Sequence, residues 1–173
     1  MSFDQVNNLI FVLTILGQVF IVVTIIYLIF FRKIKNKLIN FLTKRAIPLT
    51  FLIALFSTSA SLYYSEIARF IPCDLCWLQR IFLFPLVIIL GLAWLKNKDE
   101  IIDYSLALIG VGTIISIYHN YIYYLTVPST FCSITSPCTQ VYVTGFNYIS
   151  IPLMSLTAFL MIGLLLLNKK LNK

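Results

Sequence analysis

Five long apolar stretches organise the chain, at residues 9–31, 46–64, 77–95, 101–125 and 149–167. Each has the roughly 17–25 residues that a helix needs to cross a hydrocarbon core of about 30 Å. Backbone polar groups cannot stay unpaired in lipid, so only helices or closed barrels span it. These runs are continuous and do not alternate between apolar and polar, which reads as helix. The pattern therefore predicts an all-α membrane protein with five spans. The first stretch reads as a retained helix and not a signal peptide. It lacks a basic start, exceeds the length of an h-region, and ends at Phe31-Arg32-Lys33 without a small-residue cleavage site.

Composition agrees. The chain has 173 residues, 60% of them hydrophobic and 11% charged. Soluble domains carry about 25% charged residues, so there are too few here to cover a globular surface. The formal charge of +7 does not point to nucleic acid, because the basic residues gather at the ends of apolar stretches. Arg32, Lys33, Lys35, Lys37, Lys44 and Arg45 lie between the first two, Lys96 and Lys98 between the third and fourth, and Lys169, Lys170 and Lys173 after the fifth. If all five stretches cross, these residues share one side, and only Arg69 and Arg80 lie opposite. Basic residues stay cytoplasmic. The N-terminus is therefore expected outside and the C-terminus inside, with loops 65–76 and 126–148 both outside. Gly145 and Pro152 fit a turn and a helix start near the end of the second loop.

All four cysteines fall in those two loops, as Cys73-Asp74-Leu75-Cys76 and as Cys132 and Cys138. Three readings compete. The pairs could be structural disulfides, since the outside of a bacterial-type membrane permits them. They could form a four-thiolate zinc site, if both loops converge rigidly. Or they could exchange disulfides, for which the C-x-x-C spacing is suited. Local chemistry favours exchange. A helix predicted to begin at about Cys76–Trp77 puts Cys76 at its positive end, and Arg80 follows four residues later on the same face. A free thiol with a pKa of about 8.5 is only about 3% ionised at pH 7, and one lowered to about 7 is half ionised. Taken alone, Arg80 could equally be an interfacial anchor snorkelling to headgroups.

Cys73-Asp74-Leu75-Cys76-Trp77-Leu78-Gln79-Arg80 resembles the C-x-x-C-x-x-x-R signature of the DsbB/BdbC family of disulfide bond formation proteins. The second cysteine pair and Ile149-Ser150-Ile151-Pro152 before the last stretch extend the resemblance, which covers about 47–167. It implies a four-helix transmembrane bundle over 46–173, with one additional N-terminal transmembrane helix and its basic cytoplasmic loop over 1–45. It also implies a relay in a bacterial cytoplasmic membrane. A soluble extracytoplasmic thioredoxin-like oxidase of the DsbA/BdbD type would attack Cys132, and Cys138 would attack Cys73. Cys76, beside Arg80, would then pass electrons to ubiquinone or menaquinone. Gln79 departs from the family's better-known members, which carry Glu there.

The resemblance associates His119, the one histidine, with the quinone site, where its titration range would suit proton handling. A lone histidine bonded to a neighbour is the plainer reading. Ser57, Thr58, Ser59, Ala60 and Ser61 read as a close-packing face. Tyr118, Tyr121, Tyr123 and Tyr124 read as an interfacial aromatic belt, although Tyr121 or Tyr124 could line a quinone pocket. Glu66 and Arg69 read as exposed interfacial charges, and Asp103 as a snorkelling or capping residue. No metal is expected. Vitamin K epoxide reductase-type proteins share the bundle and both cysteine pairs, but their loop cysteines precede the C-x-x-C, the reverse of the order here. The rival of a different class is a non-enzymatic multi-pass protein, a transporter subunit or scaffold, with structural loop disulfides.

Overall fold

The computed structural model describes residues 3–30, 42–96, 100–127, 131–133 and 136–171. The basic run 32–37, Lys98, Lys173, and Ile134 and Thr135 between the second pair of cysteines lie outside the described residues.

Five helices make up the described fold: α1 (Phe3–Phe30), α2 (Ala46–Leu62), α3 (Asp74–Lys96), α4 (Ile101–Leu125) and α5 (Ile151–Leu171). All five are long and apolar enough to cross a membrane. The all-helical architecture and the number of spans are those expected. Helices α2 to α5 enclose a core of Ala54, Leu83, Leu86, Leu90, Ile102, Ile109, Phe159, Ile162 and Leu166. Outward positions remain apolar, as at Ile88 and Ile114, because lipid and not water faces them. Helix α1 packs along α5.

Helix ends set the site. Helix α2 runs on through a π-helical turn, Tyr63–Ile67. The chain then leaves through Arg69 in the left-handed region, φ 57°, with Phe70 N–H donating back to Tyr64 O at 2.9 Å. Helix α3 starts at Asp74, earlier than the sequence reading placed it. Asp74 is polar, so apolarity alone assigns it to the loop. A carboxylate in the first turn is stabilised by the helix dipole, and the first turn is closed by Trp77 N–H donating to Cys73 O at 3.1 Å. Helix α4 ends on left-handed Thr126, φ 50°. Before α5, Phe146 and Asn147 adopt φ 48° and 65° and fold Gly145 back onto Ile149 in an isolated bridge. Pro152 sits in the first turn of α5, as expected of a proline at a helix start.

At the end of the bundle away from the cysteines, Asp103 of α4 pairs with Lys170 of α5 at 2.7 Å. Both side chains are exposed, so the pair is worth at most about 1 kcal/mol. It shows that Asp103 has a specific partner beyond the snorkelling or capping expected of it.

Candidate functional site: a thiol cluster between two cavities

The two outer loops converge. Cys73, Leu75, Ile122 and Cys138 form one buried cluster, with Cys76, Cys132 and Ile115 packed against it. Cys132 and Cys138 are joined in a disulfide with Cα atoms 5.8 Å apart, so a four-thiolate metal site is not what these pairs form. Cys73 and Cys76 are free thiols with Sγ atoms 2.8 Å apart.

Asp74 joins the loops directly. Its Oδ2 accepts from Ser133 N–H at 2.9 Å, beside Cys132. Tyr142 makes a second tie, its hydroxyl donating to Ile71 O at 3.0 Å and its ring stacking on Phe70 at 4.7 Å. The sequence reading gave neither residue a role. The carboxylate inside the C-x-x-C motif was the available signal for the first.

His119 is fully buried and meets the thiols from α4. Its Nε2 lies 3.7 Å from Cys73 Sγ, and its Nδ1 lies 3.2 Å from Gln79 Nε2. Gln79 Oε1 accepts from the Ser155 hydroxyl of α5 at 2.9 Å. With the amide in this orientation, its N–H donates to Nδ1, which leaves the imidazole proton on Nε2, facing Cys73. The Cys73 thiol, which lies just before α3, is lowered to about 5. Its hydrogen bond from Cys76 contributes most, and His119 adds to it against the cost of burial. The sequence reading had put the favoured thiolate on Cys76. Cys73 stands at the helix N-terminus with the Cys76 sulfur and His119 beside it, and the charge of Arg80 acts on both sulfurs. The ligating atoms of Cys73, Cys76 and His119 lie within 4.8 Å of one another, a spacing that a thiophilic metal ion could bridge.

Two cavities meet at this pair. The smaller, about 30 Å³, is lined by Cys73, Cys76, His119, Cys138 and Tyr142 among others. The larger, about 400 Å³, is lined by Cys76 but not by Cys73 or His119. Its walls are mostly aliphatic and aromatic, and its upper end carries Ser61, Tyr64, Gln79 and Arg80. Cys76 alone among the four cysteines lines both. His119 thus stands against the thiols and away from the larger cavity. Tyr121 and Tyr124 are also absent from it. Tyr124 instead donates to Tyr148 O, in keeping with the belt reading.

Arg80 does not snorkel. It is 7% exposed, and α2 holds it: Nε donates to Ser61 Oγ at 2.9 Å and a terminal nitrogen to Ser61 O at 2.8 Å. Trp77 covers the guanidinium, its ring centroid 5.1 Å away. The small residues of α2, expected only to pack, therefore include the group that fixes the arginine, and Ser57, Ala60 and Ser61 line the cavity.

The comparisons with known proteins point the same way. The sequence model for Disulfide bond formation protein DsbB matches residues 43–168. The chain is 41% identical over 131 residues to the SPbeta prophage-derived disulfide bond formation protein B of Bacillus subtilis, covering 72% of this chain and 88% of that protein. It is 40% identical over 119 residues to Disulfide bond formation protein C of the same organism, covering 65% and 83%. No solved structure matches it significantly. With most of its length matched and both cysteine pairs gathered at one end of a helical membrane bundle, the chain belongs to the DsbB family of disulfide bond formation proteins.

Proposed function

We propose that the chain reoxidises an extracytoplasmic thioredoxin-like oxidase and passes the two electrons to a membrane quinone. The observation that carries this reading is the position of Cys76, which lines both the small thiol cavity and the large apolar one. The cysteine end faces outward, where disulfides persist. Lys44, Arg45, Lys96, Lys169 and Lys170 stand at the other end, on the cytoplasmic side.

A thiolate of the partner attacks Cys132, which is half-buried, whereas Cys138 is 4% exposed. The Cys132–Cys138 bond breaks, a mixed disulfide forms, and Cys138 leaves as a thiolate. The partner's second thiol then displaces Cys132 and completes the partner's own disulfide. Cys138 attacks the Cys73–Cys76 disulfide at Cys73, its neighbour in the cluster, and Cys76 leaves. Cys132 displaces Cys73, which restores the Cys132–Cys138 bond and leaves both electrons on Cys73 and Cys76. Each 30 mV of potential difference is worth about 1.4 kcal/mol for a two-electron exchange, so this direction needs a strong final acceptor.

The larger cavity fits such an acceptor: apolar walls suit an isoprenoid chain, and a buried cation whose hydrogen bonds go to the neutral oxygens of Ser61 suits an electron-rich head. A quinone bound there would supply a two-electron, two-proton sink that restores the Cys73–Cys76 disulfide. Arg80 and Ser61 would hold the head. The Cys73 and Cys76 sulfurs lie within hydrogen-bond reach of each other, so Cys73 is placed to take a proton from Cys76 as Cys76 reacts, and the His119 Nε2–H faces Cys73 to steady the charge left there.

A Cys132→Ala variant tests the reading in intact membranes. A soluble extracytoplasmic protein with its own redox-active C-x-x-C is expected to accumulate in its dithiol form, read by alkylation of free thiols and mass spectrometry, while the variant stays folded. No such protein shifted toward the dithiol form in the folded variant overturns it.

Gln79 has a positioning role in this scheme. Gln79→Leu leaves Nδ1 of a buried imidazole unpaired, at a cost of roughly 1–3 kcal/mol. The variant is expected to raise the pH midpoint of Cys73 reactivity, while Gln79→Asn recovers part of the shift. A Gln79→Leu profile identical to wild type refutes the role.

A further inference from the structure

We infer that α1 is a wall of the acceptor cavity and reads the apolar tail of the quinone, an inference that rests on the function proposed above. Helix α1 lies outside the stretch 43–168 that the family model matches, yet Ile10, Leu13 and Thr14 of α1 line the large cavity. Opposite them stand Leu52, Ile53 and Phe56 of α2, with Met161 of α5 between. The space is a cleft with α1 on one side and α2 on the other.

The seating of α1 is specific. Its buried positions Asn7, Ile10, Phe11, Thr14, Gly17, Ile21 and Thr24 recur every three or four residues, one face of a helix. At Gly17 the helices cross so closely that a Cβ would stand 2.7 Å from Met161 Sδ. At the outer end the cleft is closed. Asn7 Oδ1 accepts from the Tyr64 hydroxyl at 3.1 Å, with both side chains buried, and Phe3 stacks on Tyr63 at 6.5 Å. Helix α1 also anchors the second outer loop. Phe11 lies where a Cβ on Gly145 would be 2.6 Å away, and Gln18 Oε1 accepts from the Tyr148 hydroxyl at 3.0 Å.

Below that closure Leu13, Leu52 and Phe56 line the cavity and are also exposed. They form an apolar mouth that opens sideways, where lipid would be. The polar end, at Arg80 and Ser61, is on the inner side of the same cavity. A molecule with a polar head and a long apolar tail fits this geometry with its head at Arg80 and its tail leaving past Leu13.

The test compares Leu13→Trp, which fills the mouth, with Leu16→Trp, which is 59% exposed and does not line the cavity, in the full-length protein. Quinone extracted from the purified protein is measured first. Then KM and kcat are measured with a long-tailed quinone and with a tail-free analogue. Leu13→Trp is expected to lower retained quinone at least fivefold and to raise KM at least fivefold for the long-tailed acceptor only. Leu16→Trp is expected to match wild type. Unchanged retention in Leu13→Trp, or an equal loss with both acceptors, overturns the inference. Ile10→Ala, which widens the cleft, is expected to relax discrimination between tail lengths, and unchanged discrimination also counts against it. A wild-type protein that neither retains nor reduces quinone would instead sink the function proposed above.

Discussion

Arg80→Ala is expected to lower quinone reduction by roughly 10- to 150-fold, the equivalent of losing one charge-assisted interaction of about 1.5–3 kcal/mol. Retained quinone should fall with it. Exchange among the cysteines should continue, because no sulfur depends on Arg80 for its place: Cys73 is held by Cys76 and His119, and the second pair by Asp74 and the buried cluster. Folding should be nearly unaffected. The hydrogen-bond partners of Arg80 are the hydroxyl and carbonyl of Ser61, so its removal breaks no direct ion pair, the case that is costly, although its charge also acts on Cys76, Glu66 and Cys73. Arg80→Lys keeps the charge but not the two-pronged grip on Ser61, and its activity should fall between the two. Stopped-flow reduction of added quinone, beside thermal unfolding of the same samples, separates these effects. Normal quinone kinetics and quinone content in Arg80→Ala would remove the arginine from the site.

The route to Arg80 also shows what the sequence could carry. Topology alone places all four cysteines on one side, because two spans separate the pairs whichever way the bundle points. Arg80 can be put on the face of Cys76 because both lie on one helix, four residues apart. The partner of Arg80 is on another helix. Which residue of α2 stands beside it depends on how α2 and α3 are offset along the membrane normal, and apolar stretches with soft ends do not fix that offset. Ser61 was therefore visible only as one small residue among several.

Two other contacts were hidden for different reasons. Asp74 breaks the apolar run, so the run appears to begin at Trp77. The dipole that welcomes an acidic first turn starts the helix earlier and brings Cys73 to its N-terminus. Helix α1 reads from its hydropathy as a generic span. Asn7, Thr14, Gly17 and Thr24, polar or small residues spaced along one face, were the sign that this face meets protein. What it meets could not be read, since that depends on a cleft that exists only once α2 and α5 are in place.

Reduced Cys73 is expected to react with a small neutral disulfide with a pH midpoint near 5. Its folded thiol is lowered to about 5, against about 8.5 for a free one. The anion is thus the favoured form in the folded state. The stabilisation it gives the reduced protein is complete above about pH 8.5 and is lost as pH falls through 5. At pH 6 about 90% of Cys73 is ionised, against roughly 0.3% of an ordinary thiol, a ratio of about 300. A weaker base is also a weaker nucleophile, and 3.5 pH units at a Brønsted slope of about 0.4–0.5 cost roughly 25- to 55-fold. Cys73 should therefore outrun an equally accessible ordinary thiol by about 5- to 12-fold at pH 6 and trail it by roughly 20- to 40-fold at pH 9. Burial of Cys73 scales every rate by one factor and leaves the midpoint in place, so the midpoint is the quantity to read. The measurement uses protein with Cys132 and Cys138 replaced by alanine, followed by mass spectrometry to identify the modified sulfur. His119→Ala should raise the midpoint, because that ring adds to the lowering, and Cys76→Ser should raise it more if the thiol donor contributes most. A midpoint between pH 8 and 9 in the unaltered pair would return the anion to Cys76 and reverse the order in which the two sulfurs give up their protons.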